Sequence, residues 1–280
     1  MLSWIKLFRI KHWIKNLLLF VPIFFAGKIT NIHLLIAVSW AFLAFSFCTS
    51  AHYIINDLKD LKYDRIHPQK RNRPLAKGEI NKYAAIFCSI LFLLLSIVLG
   101  TILGTQFILI IIFYLVLNLL YSFKIKNIPL VEVFSVSMGY ILRIIGGGVA
   151  ADIKISPWLF MSTFLLALYI TFGKRFHELK ILKERASQFR LSLTYYNDFF
   201  LISSLSITGT SALLMYAIYS VENGGLLVYT AIPAAYGVLR YLQIILKGEQ
   251  GEPIEIFEKD IHLWITSGIF LLFISLAIYN

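Results

Sequence analysis

NDLKDLKYDRIHPQKRNRPLAKG, residues 56–78, is a densely charged stretch set between two long apolar runs, and the rest of the chain is read outward from it. Asp57, Asp60 and Asp64 come first; Lys70, Arg71, Arg73 and Lys77 follow. The acids lie three and four residues apart, so a helix continuing from the preceding apolar run carries them on one face over about two turns. Such a face suits Mg2+, which dehydrates reluctantly and usually takes one or two carboxylates plus substrate phosphate oxygens. The cations then take the phosphate oxygens that the metal leaves free. Pro68 and Pro74 forbid an uninterrupted helix, and Gly78 is a stop before a new helix near Ile80. The basic half is therefore expected as a loop folded back over the acids.

Outside this stretch the chain is strongly apolar. Of its 280 residues 59% are hydrophobic, with a mean hydropathy of +0.77, whereas a soluble domain runs about 45–50% apolar. Runs of spanning length, about 20 residues each, fall at roughly 14–29, 33–55, 81–101, 105–123, 128–149, 155–173, 197–219, 225–246 and 260–279. The expectation is an all-α polytopic membrane protein of nine transmembrane helices. It forms one domain over 1–280, with charged loops at 56–80 and 174–192. The first run is the shortest: Lys15 and Lys28 enclose it and Pro22 interrupts it, so that helix must tilt, kink or let Lys15 snorkel. Its basic start and short apolar core also fit a signal peptide, but the basic residues distribute sensibly only if it is kept as a first helix. Gly100, Gly104, Thr105 and Gln106 break the long run from Tyr83 to Phe123 into two.

The net charge of +11 does not point to nucleic acid, because the bases are dispersed among hydrophobic runs and no nucleic-acid module is present. Their distribution reports topology. With the N-terminus inside, Lys6, Arg9, Lys11 and Lys15 precede the first span, and further clusters fall at 59–82 and 174–190; the outer loops hold Lys28 and Lys154. That asymmetry turns the acidic face of 57–64 to the cytoplasm, where phosphorylated metabolites are. Cys48 and Cys88 sit in apolar runs without ligand spacing and read as small core residues.

Charges inside the apolar runs are the next signal. Glu132 and Arg143 lie eleven residues apart, close to three helical turns, and so share one side of a helix. Each costs about 2.5–3.5 kcal/mol in the bilayer even on a lenient scale, which leaves two readings, an ion pair supporting the bundle or a polar cavity. Gly146, Gly147 and Gly148 allow either close helix packing or local unwinding. Near the N-terminus, Lys15 and Asn16 are interfacial anchors or, one or two turns inside the helix, phosphate contacts. A second charged block, GKRFHELK at 173–180, sets Lys174, Arg175 and Glu178 at the end of the sixth expected helix, with His177 reading as solvated or as a support behind a site residue.

The arrangement Asn56, Asp57, Asp60, Asp64 resembles the first aspartate-rich motif, NDxxDxxxD, of the UbiA superfamily of intramembrane prenyltransferases. The continuation HPQKRNRPLAKG, with His67 and Pro68, is similar to the decaprenyl-phosphate phosphoribosyltransferase branch of that superfamily. So are KHWIKNLLLFVP at 11–22, the tract from Tyr121 to Gly148, GKRFHEL at 173–179, and LRYLQIILKGEQGEP at 239–253 with Gly251 and Glu252. The resemblance implies a UbiA-type bundle with a cytoplasm-facing cavity in a bacterial plasma membrane, and Mg2+ on the catalytic Asp57, Asp60 and Asp64. It further implies substrate contacts from Asn56, Tyr121, Lys124 and Arg143 beside the cations already named. A UbiA prenyltransferase normally carries a second acidic motif, with aspartates four apart, where this chain has Lys174, Arg175 and Glu178. Two cations there suit extra phosphate groups better than an aromatic acceptor.

The implied reaction is transfer of 5-phosphoribosyl from phosphoribosyl diphosphate to a polyprenyl phosphate lipid, a step towards arabinose-containing cell-wall polysaccharide. An aromatic prenyltransferase using polyprenyl diphosphate is the alternative within enzymes, and a non-catalytic lipid-binding or transport protein the alternative outside them. The isoprenoid length and the oligomeric state stay open.

Overall fold

The computed structural model describes residues 2–66, 70–182, 190–248 and 253–279; His67, Pro68, Gly251 and Glu252 lie outside the described residues. Among the described residues every regular element is helical. In chain order the first helices are α1 (Leu2–Phe8), α2 (Val21–Phe25), α3 (Ile32–Lys59), α4 (Leu61–Ile66), α5 (Pro74–Lys77), α6 (Lys82–Ile102), α7 (Thr105–Phe123), α8 (Val131–Ala150) and α9 (Pro157–Leu182). Helices Asp198–Asn223, Ala231–Lys247, Pro253–Lys259 and Ile261–Tyr279 follow.

Among the described residues, eight segments are long and apolar enough to cross a membrane, and each falls on one of the expected runs: α3, α6, α7, α8, α9, Asp198–Asn223, Gly225–Lys247 and Ile261–Tyr279. Their ends follow ordinary helix chemistry. Asn31 accepts the backbone N–H groups of His33 and Leu34 at the start of α3, Asn81 accepts that of Tyr83 at α6, and Asn197 that of Phe200. Gly104, at φ +102, breaks the apolar run between α6 and α7.

The first expected span, 14–29, is not among the eight. Residues Ile10–Phe20 form an eleven-residue 3₁₀ helix that passes directly into α2. Runs of this winding rarely exceed three or four residues; this one packs closely against the second half of α8. A Cβ on Gly147 would stand 2.0 Å from the Leu19 carbonyl oxygen, and one on Gly146 would stand 2.8 Å from a ring carbon of Phe45. The glycines therefore serve close approach, and α8 runs through them without unwinding.

The chain divides into two compact units, Met1–Lys124 with Leu142–Lys154, and Ile125–Ile141 with Ile155–Asn280. In the first, α3 is central, packed by the 3₁₀ helix, α6 and α7. In the second, α9 packs along Asp198–Asn223. Its core joins Leu168, Tyr169 and Phe172 to Leu205, Tyr241 and Ile245. A Cβ on Gly173 would meet the Tyr241 hydroxyl at 2.8 Å, so the missing side chain again lets two helices close.

The charged stretch departs from the expected single helix in one respect. The α3 helix ends at Lys59, with Asp60 as its C-cap, and α4 begins at Leu61. Backbone bonds from Asp60 N–H to Asn56 and from Asp64 N–H to Asp60, both 2.9 Å, carry the helical pattern through the joint. The basic half does fold back, as two single turns, Lys70–Asn72 and α5, the latter closed by Gly78 at φ +76.

Candidate active site

Asp57 and Asp64 are 2% and 3% exposed at the charged end of the first unit. They converge on one guanidinium: Arg73 Nη1 donates to Asp57 Oδ1 at 3.0 Å and to Asp64 Oδ2 at 2.6 Å. A second guanidinium shares the first carboxylate, with Arg9 Nη2 2.6 Å from Asp57 Oδ1. Arg9 is held from behind, its guanidinium carbon 4.3 Å from the Tyr53 ring centroid. Its backbone is left-handed, φ 52 and ψ 44, where the chain turns from α1 into the 3₁₀ helix. Burial pushes the Asp64 carboxyl above the ordinary aspartate range, against the opposing charges of Arg73 and Lys70.

Of the expected site residues, the structure thus joins Asp57, Asp64 and Arg73, with Lys70 close enough to act on Asp64. Asp60 is half-buried at the α3–α4 joint, one residue from the end of α3, and Asn56 accepts the Asp60 N–H through its carbonyl. Arg71 and Lys77 are exposed, and Lys77 lies 3.7 Å from Glu79. Tyr121 is half-buried and Lys124 exposed at the end of α7, where Lys59 reaches the Ser122 carbonyl.

Among the described residues no group of three or more His, Cys, Asp or Glu side chains is placed to hold a metal by itself. The two carboxylates that remain convergent still fit Mg2+. They aim oxygens at one cationic nitrogen, and a magnesium ion that keeps phosphate and water oxygens needs one or two carboxylates.

Deeper in the same unit, Arg143 and Asn16 are 5% and 0% exposed. Arg143 Nε donates to Asn16 Oδ1 at 2.7 Å and Arg143 Nη2 to the Tyr114 hydroxyl at 2.8 Å, while Asn16 Nδ2 donates to Ser46 Oγ at 2.9 Å. Asn16, expected as a phosphate contact, is instead committed to protein partners on both sides of its amide. The neighbouring Lys15 is half-buried.

The second unit holds the other expected cations. Arg175 Nε donates to both carboxylate oxygens of Glu132, at 2.7 and 2.9 Å, and Arg175 Nη1 bonds Glu178. Arg190 Nη1 adds 3.1 Å to Glu132 and lies 3.8 Å, through Nε, from Glu178. This bifurcated bond, with Arg190 beside it, neutralises a glutamate that is 0% exposed. Arg175, expected to contact phosphate, is thus engaged by two carboxylates, and Lys174 beside it is half-buried. Glu132 and Arg143 take separate partners, so the ion pair expected as one reading joins Glu132 to Arg175. Arg9 and Arg190 went unassigned in the sequence. Neither stands out from other basic residues near membrane ends; only Glu132 carried a signal, as an acid in an apolar run.

Among the described residues, helices alone and eight of them of membrane-spanning length define an integral membrane protein. The chain belongs to the UbiA prenyltransferase family, whose model matches residues 17–274. A Mycobacterium tuberculosis protein named decaprenyl-phosphate phosphoribosyltransferase is 31% identical over 91% of this chain and 87% of its own. A Corynebacterium glutamicum protein of the same name is 31% identical over 98% of this chain and 86% of its own. Among solved structures, a UbiA homolog from Archaeoglobus fulgidus bound to GPP and Mg2+ covers 99% of both chains at TM-score 0.73 and 19% identity, a likeness of fold.

Proposed function

We propose that the protein transfers a 5-phosphoribosyl group from phosphoribosyl diphosphate to a polyprenyl phosphate, decaprenyl phosphate in the named relatives, releasing diphosphate. The observation that carries this reading is the second charged block. Where the family's prenyl-transferring members carry a second acidic motif, this chain has Lys174 and Arg175 and so lacks a second metal-holding pair; Lys174 is the cation for phosphate there, and Arg175 is its neighbour braced by Glu132 and Glu178. The shared name of relatives matched over most of their length supports the same substrates.

In this reading Asp57 and Asp64, with Asp60 at their joint, hold Mg2+, which supplies charge neutralisation of the departing diphosphate. Arg73 and Lys70 take the diphosphate oxygens that face away from the carboxylates. Bond cleavage at the ribose anomeric carbon leaves an oxocarbenium-like centre, and the lipid phosphate, ionised at neutral pH, attacks it without a strong general base. The protein's work is positioning and charge stabilisation.

In this reading the acidic face opens to the cytoplasm of a bacterial plasma membrane, an orientation supported by the basic residues clustered in the loops on that side. The 3₁₀ helix and α2 complete a ninth crossing. Eleven residues at about 2.0 Å and five at about 1.5 Å reach about 30 Å, the thickness of the hydrocarbon core.

The test offers purified protein and Mg2+ either phosphoribosyl diphosphate with a polyprenyl phosphate, or polyprenyl diphosphate with 4-hydroxybenzoate, and reads products by mass. A phosphoribosylated lipid that disappears with EDTA is the expected result. A prenylated benzoate would replace the reading with the aromatic transferase.

A further inference from the structure

Arg73 bridges the two aspartates where a metal ion would bridge them, and Arg9 shares the Asp57 carboxylate. Asp57 Oδ1 carries both guanidinium groups, at 2.6 and 3.0 Å, and Asp64 Oδ2 carries Arg73 at 2.6 Å. Lys70 adds a further positive charge beside Asp64. The charge of the two carboxylates is therefore already met from within the chain. A dication arriving alone must displace a guanidinium and then stand beside two or three cations in a poorly solvated recess. A dication arriving on a diphosphate brings several negative charges, and these give the displaced guanidinium a new partner as good as the one it left.

The two arginines are not equivalent. Arg9 is stacked on Tyr53, with its backbone set where α1 turns into the 3₁₀ helix. The 3₁₀ helix is in turn fixed to α3 by Trp13 Nε1 on Ser50 Oγ at 3.0 Å and Asn16 on Ser46. Arg73 is on the short connection between the Lys70–Asn72 turn and α5, is the more exposed of the two at 22% against 16%, and is the one that bridges both acids.

We propose that Arg73 is a resident counter-ion that closes the acidic pair to free metal, so that Mg2+ enters only together with a diphosphate, whereupon Arg73 transfers from the carboxylates to the phosphate oxygens while Arg9 stays and holds the Asp57 carboxylate in place. This rests on Asp57 and Asp64 being the metal-holding pair. Arg73 is then a specificity determinant for the metal–diphosphate complex over either component, and Arg9 a positioning residue. Metal and diphosphate must each strengthen the binding of the other by the same factor.

The experiment measures binding without turnover. Mn2+ is titrated into the full-length protein in detergent, free Mn2+ is read by its EPR signal, and the titration is repeated with saturating inorganic diphosphate. The wild type is expected to bind Mn2+ about tenfold or more tightly with diphosphate than without it. Arg73→Gln should tighten Mn2+ binding in the absence of diphosphate and shrink that enhancement, whereas Arg73→Lys, which keeps the charge, should preserve it. Arg9→Gln should weaken Mn2+ binding in both conditions, with Arg9→Lys restoring part of it. Equal Mn2+ affinity with and without diphosphate in the wild type, or an unchanged Mn2+-alone affinity in Arg73→Gln, overturns the inference. If Asp57→Asn still abolishes Mn2+ binding in that case, the metal assignment survives; undiminished binding in Asp57→Asn removes both.

Discussion

Arg175 Nε stands 2.7 Å from Glu132 Oε1 and 2.9 Å from Glu132 Oε2, a bifurcated ion pair joining the end of α9 to the start of α8 with side chains 2% and 0% exposed. Removing one member of such a pair leaves the other charge buried, which costs about 3–5 kcal/mol. Arg175→Ala is therefore expected to lower the midpoint of thermal unfolding in detergent strongly, and Glu132→Gln to do the same. The double variant Arg175→Met/Glu132→Leu should recover much of the loss, since the two charges left, Arg190 and Glu178, already face each other at 3.8 Å. An Arg175→Ala protein with unaltered unfolding and only a raised KM for phosphoribosyl diphosphate would make Arg175 a phosphate contact instead of a brace.

Gly147 is the position where α8 meets the 3₁₀ helix most closely, the virtual Cβ lying 2.0 Å from the Leu19 carbonyl oxygen. That neighbour is backbone and cannot rotate away. Gly147→Ala is expected to push residues 10–20 outward at a cost at or above the usual 1–3 kcal/mol or so for overpacking. The displacement should also loosen the bond of Asn16 to Arg143, which the same segment carries. Thermal unfolding and proteolysis near the N-terminus would register both effects. A Gly147→Ala protein as stable as the wild type would mean that the approach is not as close as 2.0 Å.

The eight long helices were legible because a spanning run needs only length and apolarity, and both are local properties. Residues 14–29 were legible as a short apolar run, but the 3₁₀ winding of Ile10–Phe20 and the close approach of its Leu19 to Gly147, more than 120 residues away, were not. The acids showed the same limit. Their spacing marked a cation site, while the joint at Asp60 and the reach of Arg9 over 48 residues to Asp57 depend on tertiary packing. For Glu132 and Arg143, the sequence revealed two costly charges but not their partners. Each pairs with a residue far along the chain, Arg175 for the one and Asn16 for the other.

Asp260 gives the stability a pH dependence with a definite sign. Its Oδ2 accepts Arg240 Nη2 at 2.7 Å and its Oδ1 the Leu263 N–H at 2.9 Å, at the start of helix Ile261–Tyr279. The hydrogen bond from Arg240, chiefly, holds its carboxyl below the ordinary value of 3.8. A depressed carboxyl contributes stability that is present above its unfolded pKa and is lost as the pH falls through the folded one. Unfolding midpoints measured downward from pH 6 should therefore drop below about pH 4 more steeply in the wild type than in Asp260→Asn. Parallel curves would show that the pair contributes nothing.

Asp64 lies seven residues beyond Asp57 and on a different helix, yet the two share Arg73 as closely as neighbours. If that convergence marks the metal-holding pair, Asp57→Asn and Asp64→Asn should be equivalent. Each is expected to lower kcat/KM for phosphoribosyl diphosphate by about 10²–10³, the scale of a lost charge-stabilising contact, and to raise the Mg2+ concentration giving half-maximal rate. Asp60, placed at the joint and outside the shared Arg73 contact, should respond less to Asp60→Asn. Steady-state rates over a Mg2+ series for the three variants decide the matter. An Asp64→Asn enzyme with wild-type Mg2+ dependence, beside an Asp60→Asn enzyme without activity, would return the metal to the end of α3 and leave Asp64 as a partner for Arg73 alone.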